Sequence, residues 1–96
     1  MVFKAKGEKY AKTSQEDRVL EAVNYAQAKK MLPRDYVFFM EVISQSVGRS
    51  RFQLTDGMIV ERTVLKESSV TRAKKSFIAN YGAVLEIDRN RYRIIE

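Results

Sequence analysis

Apolar residues recur along this chain with two periods, one helical and one alternating, and the change of period marks out its elements. In residues 55–82, Met58, Ile59 and Thr63 share one side of a first helix, and Val70, Ala73, Phe77 and Ile78 share one side of a second. Between them Val64, Leu65, Lys66 and Glu67 interrupt the pattern. Thr55 and Asp56 offer a cap for the first helix, Ser68 or Ser69 one for the second, and Gly82 a left-handed stop. Residues 83–88 and 91–96 alternate instead, around Arg89 and Asn90 as a two-residue hairpin loop. Pairing Asp88 with Arg91 sets Ile87 opposite Tyr92 and Leu85 opposite Ile94 on one face. The other face gets Asp88 with Arg91 and Glu86 with Arg93, both of opposite charge.

Upstream, Ser14 begins a Ser-Gln-Glu-Asp run that resembles a capping box and opens a helix to about Lys30. Its stripe is Val19, Leu20, Val23 and Ala26, with Tyr25 and Ala28 to the side, and it packs either on the core or on a partner chain. Pro33, in the first turn of the next helix, follows the break at Leu32. That helix runs to Val47 with Gly48 as its stop. It carries Tyr36, Val37, Met40, Ile43 and Val47 on one face, with Phe39 and Val42 beside them, and this spacing marks its aromatics as core. Residues 49–54 read as a short strand that pairs with the hairpin.

The two helices within 55–82 have the layout of a helix-turn-helix. Val60, Val64, Leu65, Val70 and Ala73 occupy the pattern positions of phage repressors at the right spacing. Val60 stands where Ala or Gly is usual and Val64 where the turn Gly is usual, which favours a winged form with a wider turn. The expected fold is mainly α with a small β-hairpin, a winged helix-turn-helix with an extra N-terminal helix. Residues 1–13 form a basic arm and 14–96 the domain, with a core at 32–96 and the extra helix at about 14–31.

From Leu32 onward the chain resembles the N-terminal origin-binding winged helix of phage replication initiators of the lambda replication protein O type. The shared run is a hydrophobic helix ending near Gly48, a short basic connector, Leu54-Thr55-Asp56 opening the next helix and Thr63 closing it. The resemblance implies that the second helix of the motif enters the major groove. With Val70, Ala73 and Phe77 inward, Ser68, Ser69, Thr71, Arg72, Lys75 and Ser76 point outward. Arg72 suits guanine O6 and N7. Ser69 and Thr71 suit bases or phosphates, and Lys74 and Lys75 suit phosphates. In the wing, Arg89 and Asn90 are the candidate phosphate or minor-groove contacts, whereas Arg91 and Arg93 have acidic neighbours. Arg49 and Arg51 reach the backbone from the connector.

Charge agrees with a polyanionic partner. The formal net charge is +6, with 18 basic and 12 acidic residues, and the pI is about 9.7. Residues 1–54 contribute +4 (10 basic, 6 acidic) and residues 55–96 contribute +2 (8 basic, 6 acidic). In the arm, Lys4, Lys6, Lys9 and Lys12 outnumber Glu8, for a segment that either tracks phosphates or a minor groove or is a solvated tail. With neither Cys nor His, the chain lacks thiolate metal sites, the usual general base and the commonest metal ligand. Glu86 and Asp88 face Arg91 and Arg93, so ion pairing accounts for them better than Mg²⁺ ligation. No catalytic residue, metal, cofactor or small-molecule ligand is expected.

The longest apolar run, residues 36–40, is far shorter than the ~18–20 residues of a membrane span. Nothing reads as a secretory leader, and a cytoplasmic location in a bacterial or phage-infected cell is expected. The expected function is sequence-specific binding of double-stranded DNA, as a small phage- or plasmid-type transcription regulator or replication-origin binder, plausibly as a homodimer. The alternative is a winged-helix protein-interaction module acting on a host protein such as a polymerase or nuclease.

Overall fold

A computed structural model describes residues 15–46 and 48–95, so the basic arm, the Ser14 cap, Val47 and Glu96 lie outside the described residues. Within that range the elements are α1 (Gln15–Ala28), α2 (Pro33–Gln45), β1 (Arg51–Gln53), α3 (Asp56–Arg62), α4 (Glu67–Asn80), β2 (Leu85–Asp88) and β3 (Arg91–Ile94). The fold is mainly helical, with one antiparallel sheet in the strand order β1-β3-β2. The hairpin takes the register that alternation predicts, Leu85 to Ile94, Glu86 to Arg93, Ile87 to Tyr92 and Asp88 to Arg91. Strand β1 adds to its other side through Phe52 and Tyr92. This order of elements is compatible with a winged helix.

Each strand alternates because one sheet face is buried and the other is wet. Phe52, Leu85, Ile87, Tyr92 and Ile94 turn inward, while Arg51, Gln53, Glu86, Asp88 and Arg91 are exposed. The inner face meets α2 and α4 through aromatic contacts. Phe77 lies 5.4 Å from Phe38 and 5.2 Å from Phe39, ring centre to ring centre. Phe38 continues to Tyr92, and Tyr92 stacks on Phe52 at 5.9 Å with an interplanar angle of 13°. Val70, Ala73 and Phe77 are fully buried, as their spacing predicts.

Several expectations need correction. Ile78 is 60% exposed. It follows Phe77 by one residue, about 100° around the helix, and so leaves the core face. In α2 the buried face is Phe38, Phe39, Val42 and Ile43, whereas Tyr36, Val37 and Met40 are only half-buried. The inward positions of α1 are Arg18, Ala22 and Ala26, with Leu20 57% exposed. Here a buried arginine replaces the expected apolar stripe. Its Nη1 donates to the carbonyls of Ser46 (2.6 Å) and Arg49 (2.7 Å), at the C-terminal end of α2 where positive charge is favoured.

The ends of the helices also differ in part. Thr55 caps α3 as expected, its Oγ1 accepting from the Met58 amide at 3.1 Å. Helix α4, however, starts at Glu67 with Lys66 in the cap position and no side-chain cap bond, two residues ahead of Ser68 and three ahead of Ser69. Gly48 has the left-handed φ of +69° expected after α2, but Gly82 does not adopt a positive φ. Helix α4 closes instead at Tyr81. Lys30, at φ +53°, supplies the left-handed turn after α1 without a glycine.

Two stability outcomes follow from this core. Phe77→Ala should cost about 3–5 kcal/mol in urea unfolding, because its ring is enclosed by α2 aromatics that cannot all close the cavity. The Tyr92 hydroxyl is buried with no hydrogen-bond partner among the described residues, so Tyr92→Phe should keep or raise stability, by at most about 1–3 kcal/mol. Burial, then the nearby Asp56 charge, raises the ionisation of Tyr92 well above the ordinary 10.0. The unfolded tyrosine ionises first, so wild-type stability should fall as pH rises through 10, and Tyr92→Phe should fall less.

Candidate nucleic-acid interface

The outward side of α4 is whatever the core leaves over. Ser68, Arg72, Lys75 and Ala79 follow one another at helical spacing, opposite Val70, Ala73 and Phe77, and all are exposed. Arg72 and Lys75 make no hydrogen bond or ion pair with the described residues. On one flank Ser69 is half-buried and Ser76 Oγ donates to Asp35 Oδ2 at 2.8 Å. Asp35 is 1% exposed and also accepts from Arg34 Nε at 3.0 Å, so Ser76 is a tie to α2, contrary to its expected outward place. On the other flank stand Glu67, Thr71, Lys74 and Ile78. Thr71 Oγ1 donates to the Glu67 carbonyl at 3.2 Å.

Lys74 is placed differently from its expected role beside Lys75. Its Nζ lies 2.8 Å from Asp56 Oδ1 and 6.0 Å from the centre of the Tyr92 ring, with the side chain 14% exposed. Adjacency in sequence does not show this, because neighbouring helical residues point about 100° apart. Lys74 joins α4 to the start of α3 and to β3. The hairpin tip reaches the same place, since the Asn90 carbonyl accepts from the Leu54 amide at 2.9 Å, just before Thr55. The tip, the start of α3 and the middle of α4 are therefore linked by a short run of contacts.

At that tip Arg89 holds a φ of +60° and Asn90 does not have a positive φ. Both side chains are exposed. Along the outer sheet face, Arg51, Gln53, Glu86, Asp88, Arg91 and Arg93 line a shallow concavity of about 480 Å³. Arg93 Nε donates to Glu86 Oε1 at 2.6 Å. That bond, then the Arg93 charge with a smaller contribution from Arg51, holds the Glu86 carboxyl below the ordinary glutamate range. Arg93 is thus occupied, as its neighbour suggests.

Arg91 is not occupied in that way. It faces Asp88 across the ladder, yet no ion pair joins the two, and it stands with Arg51 as a free cation among the described residues. Arg49, expected to reach outward, instead donates through Nη2 to the Gln45 carbonyl at 3.0 Å and lies 5.3 Å over the Phe52 ring. No group of His, Cys, Asp and Glu able to hold a metal occurs among the described residues, and no described helix is long and apolar enough to cross a membrane.

Comparison with family models, with curated proteins and with solved structures finds no match to this chain. Its reading therefore rests on its own geometry. The Arg93 bond gives one direct check. In a carbon-detected NMR titration the Glu86 carboxyl should ionise below the exposed glutamates, and Arg93→Ala should return it towards them. The pairing is present above that lowered pKa and is lost as pH falls through it.

Proposed function

We propose that this chain is a winged helix-turn-helix that binds double-stranded DNA with sequence preference, α4 lying in the major groove and the hairpin against the flanking backbone. The observation that carries the proposal is the disposition of cations left without an acidic partner. Arg72 and Lys75 stand on the outer side of α4 and Arg89 at the hairpin tip. The Lys74–Asp56 bond ties α4 to the start of α3, and the Leu54–Asn90 bond ties the hairpin tip to the residue just before Thr55. Positively charged groups at such positions neutralise phosphates and release counterions. A guanidinium on the helix adds bidentate reading of guanine. The element order, the β1-β3-β2 sheet and the α3–α4 turn support the winged form. A cytoplasmic role as a phage- or plasmid-type regulator or origin binder fits this reading.

A second reading, docking to a host protein, draws on Val64, which is 87% exposed in the α3–α4 turn. An isolated exposed valine is common on protein surfaces, and the unpaired cations favour DNA.

Fluorescence anisotropy against random duplexes and against the DNA upstream of the coding sequence, over a salt series, separates the two. Arg72→Ala should lose about 1–3 kcal/mol on the preferred duplex and lose the preference with it. Arg89→Ala should weaken all duplexes alike and reduce the salt slope by about 1. Absence of duplex binding at low salt would turn the assignment to a protein partner.

A further inference from the structure

We infer that Ile78 contacts a thymine 5-methyl group in the major groove, which places a thymine close to the guanine read by Arg72; this rests on the DNA-binding reading above. A single exposed hydrophobe is ordinary on a protein surface, but the surroundings of Ile78 are specific. The core does not use it, since Val70, Ala73 and Phe77 are fully buried while Ile78 is 60% exposed. It occupies the flank of α4 that carries Lys74, one turn beyond it; the Lys74 ammonium is tied to Asp56 of α3 and lies 6.0 Å from the Tyr92 ring.

The polar groups on that flank are largely committed within the protein. The Lys74 ammonium is held by Asp56, and the Thr71 hydroxyl donates to the Glu67 carbonyl, so beyond Glu67 the flank offers the Thr71 methyl and the Ile78 side chain. The adjacent row offers donors instead, from Ser68, Arg72 and Lys75. An apolar row beside a donor row matches the major-groove edges of a thymine, with its methyl, and a guanine, with its two acceptors. Arg72 and Ile78 are six residues apart, roughly 9 Å along the helix axis and about 120° around it, so they reach the groove from different edges of the helix, about two to three base pairs apart at 3.4 Å each.

The test uses the full chain and the duplex that it enriches from a randomised pool. Each thymine of that duplex is replaced in turn by deoxyuridine, which removes only the 5-methyl group, and binding is read by anisotropy. Wild type should lose roughly threefold to fivefold at one or two positions near the guanine, the worth of one buried methyl. Ile78→Ala should bind the thymine and uracil forms alike at those positions, with its salt slope unchanged. The inference is overturned if Ile78→Ala keeps the wild-type discrimination, if wild type ignores every replacement, or if the enriched duplex has no thymine within that span. Failure to bind any duplex at low salt would overturn the underlying DNA reading as well, and so differs from the first three results.

Discussion

Phe77 fixes how α4 is turned about its own axis, and the character of the outer surface depends on that angle. Its ring sits between Phe38 and Phe39 of α2 and 4.8 Å from Tyr81. Val70 and Ala73 share its side of the helix. Two polar ties hold the same angle from either flank, Ser76 to Asp35 on α2 and Lys74 to Asp56 on α3. With its core side packed and one residue of each flank tied, the helix turns Ser68, Arg72, Lys75 and Ala79 outward, and Thr71 and Ile78 stay exposed beside them. Rotation by even one residue position would bury Lys74 and present Phe77, which burial energy forbids.

The attachment of α1 follows different chemistry. Arg18 crosses to the end of α2 and donates to the Ser46 carbonyl, which also accepts from the Arg49 amide, and to the Arg49 carbonyl just beyond the helix. Ser46 adds to the same closure by donating its hydroxyl to the Ile43 carbonyl at 2.6 Å. The small Ala22 and Ala26 let the two helices approach, while Tyr25 meets Phe39 and Tyr81 edge-on. Val19 and Leu20 are left outside because a charged residue has taken the inward place at their end of the helix.

That substitution marks where the sequence is legible and where it is not. The hairpin register could be read because alternation is strict and a slip by one residue would expose Leu85, Ile87, Tyr92 and Ile94 together. Val70, Ala73 and Phe77 on the core side of α4 are legible for the same reason of period, and with them the outward Arg72 and Lys75, whereas Ile78 is not. The buried Arg18 was not, because its place depends on carbonyls about thirty residues away. Lys74 and Ser76 were misjudged for the same cause, since each is turned by an acidic group from a distant part of the chain. The cap at Lys66 and the close at Tyr81 replaced the expected serine and glycine signals, which describe preferred ends of helices but do not dictate them.

Long-range pairing also decides where the excess of positive charge is presented. Asp56 takes Lys74, Glu86 takes Arg93 and Glu41 takes Arg62. Asp35 takes Arg34 in the interior. These carboxylates pair cations of α2, α3, the inner flank of α4 and β3, but none of them reaches the outer row of α4 or the hairpin tip. Arg72, Lys75 and Arg89 have no acidic partner there among the described residues, and Arg51 and Arg91 stand on the outer sheet face. A net charge of +6 spread evenly would be screened within about a Debye length and would choose no orientation. The pairings act locally instead: residues 55–96 hold only +2 of that charge, and Arg72 and Lys75 on α4 and Arg89 on the hairpin are among the cations they leave without an acidic partner among the described residues.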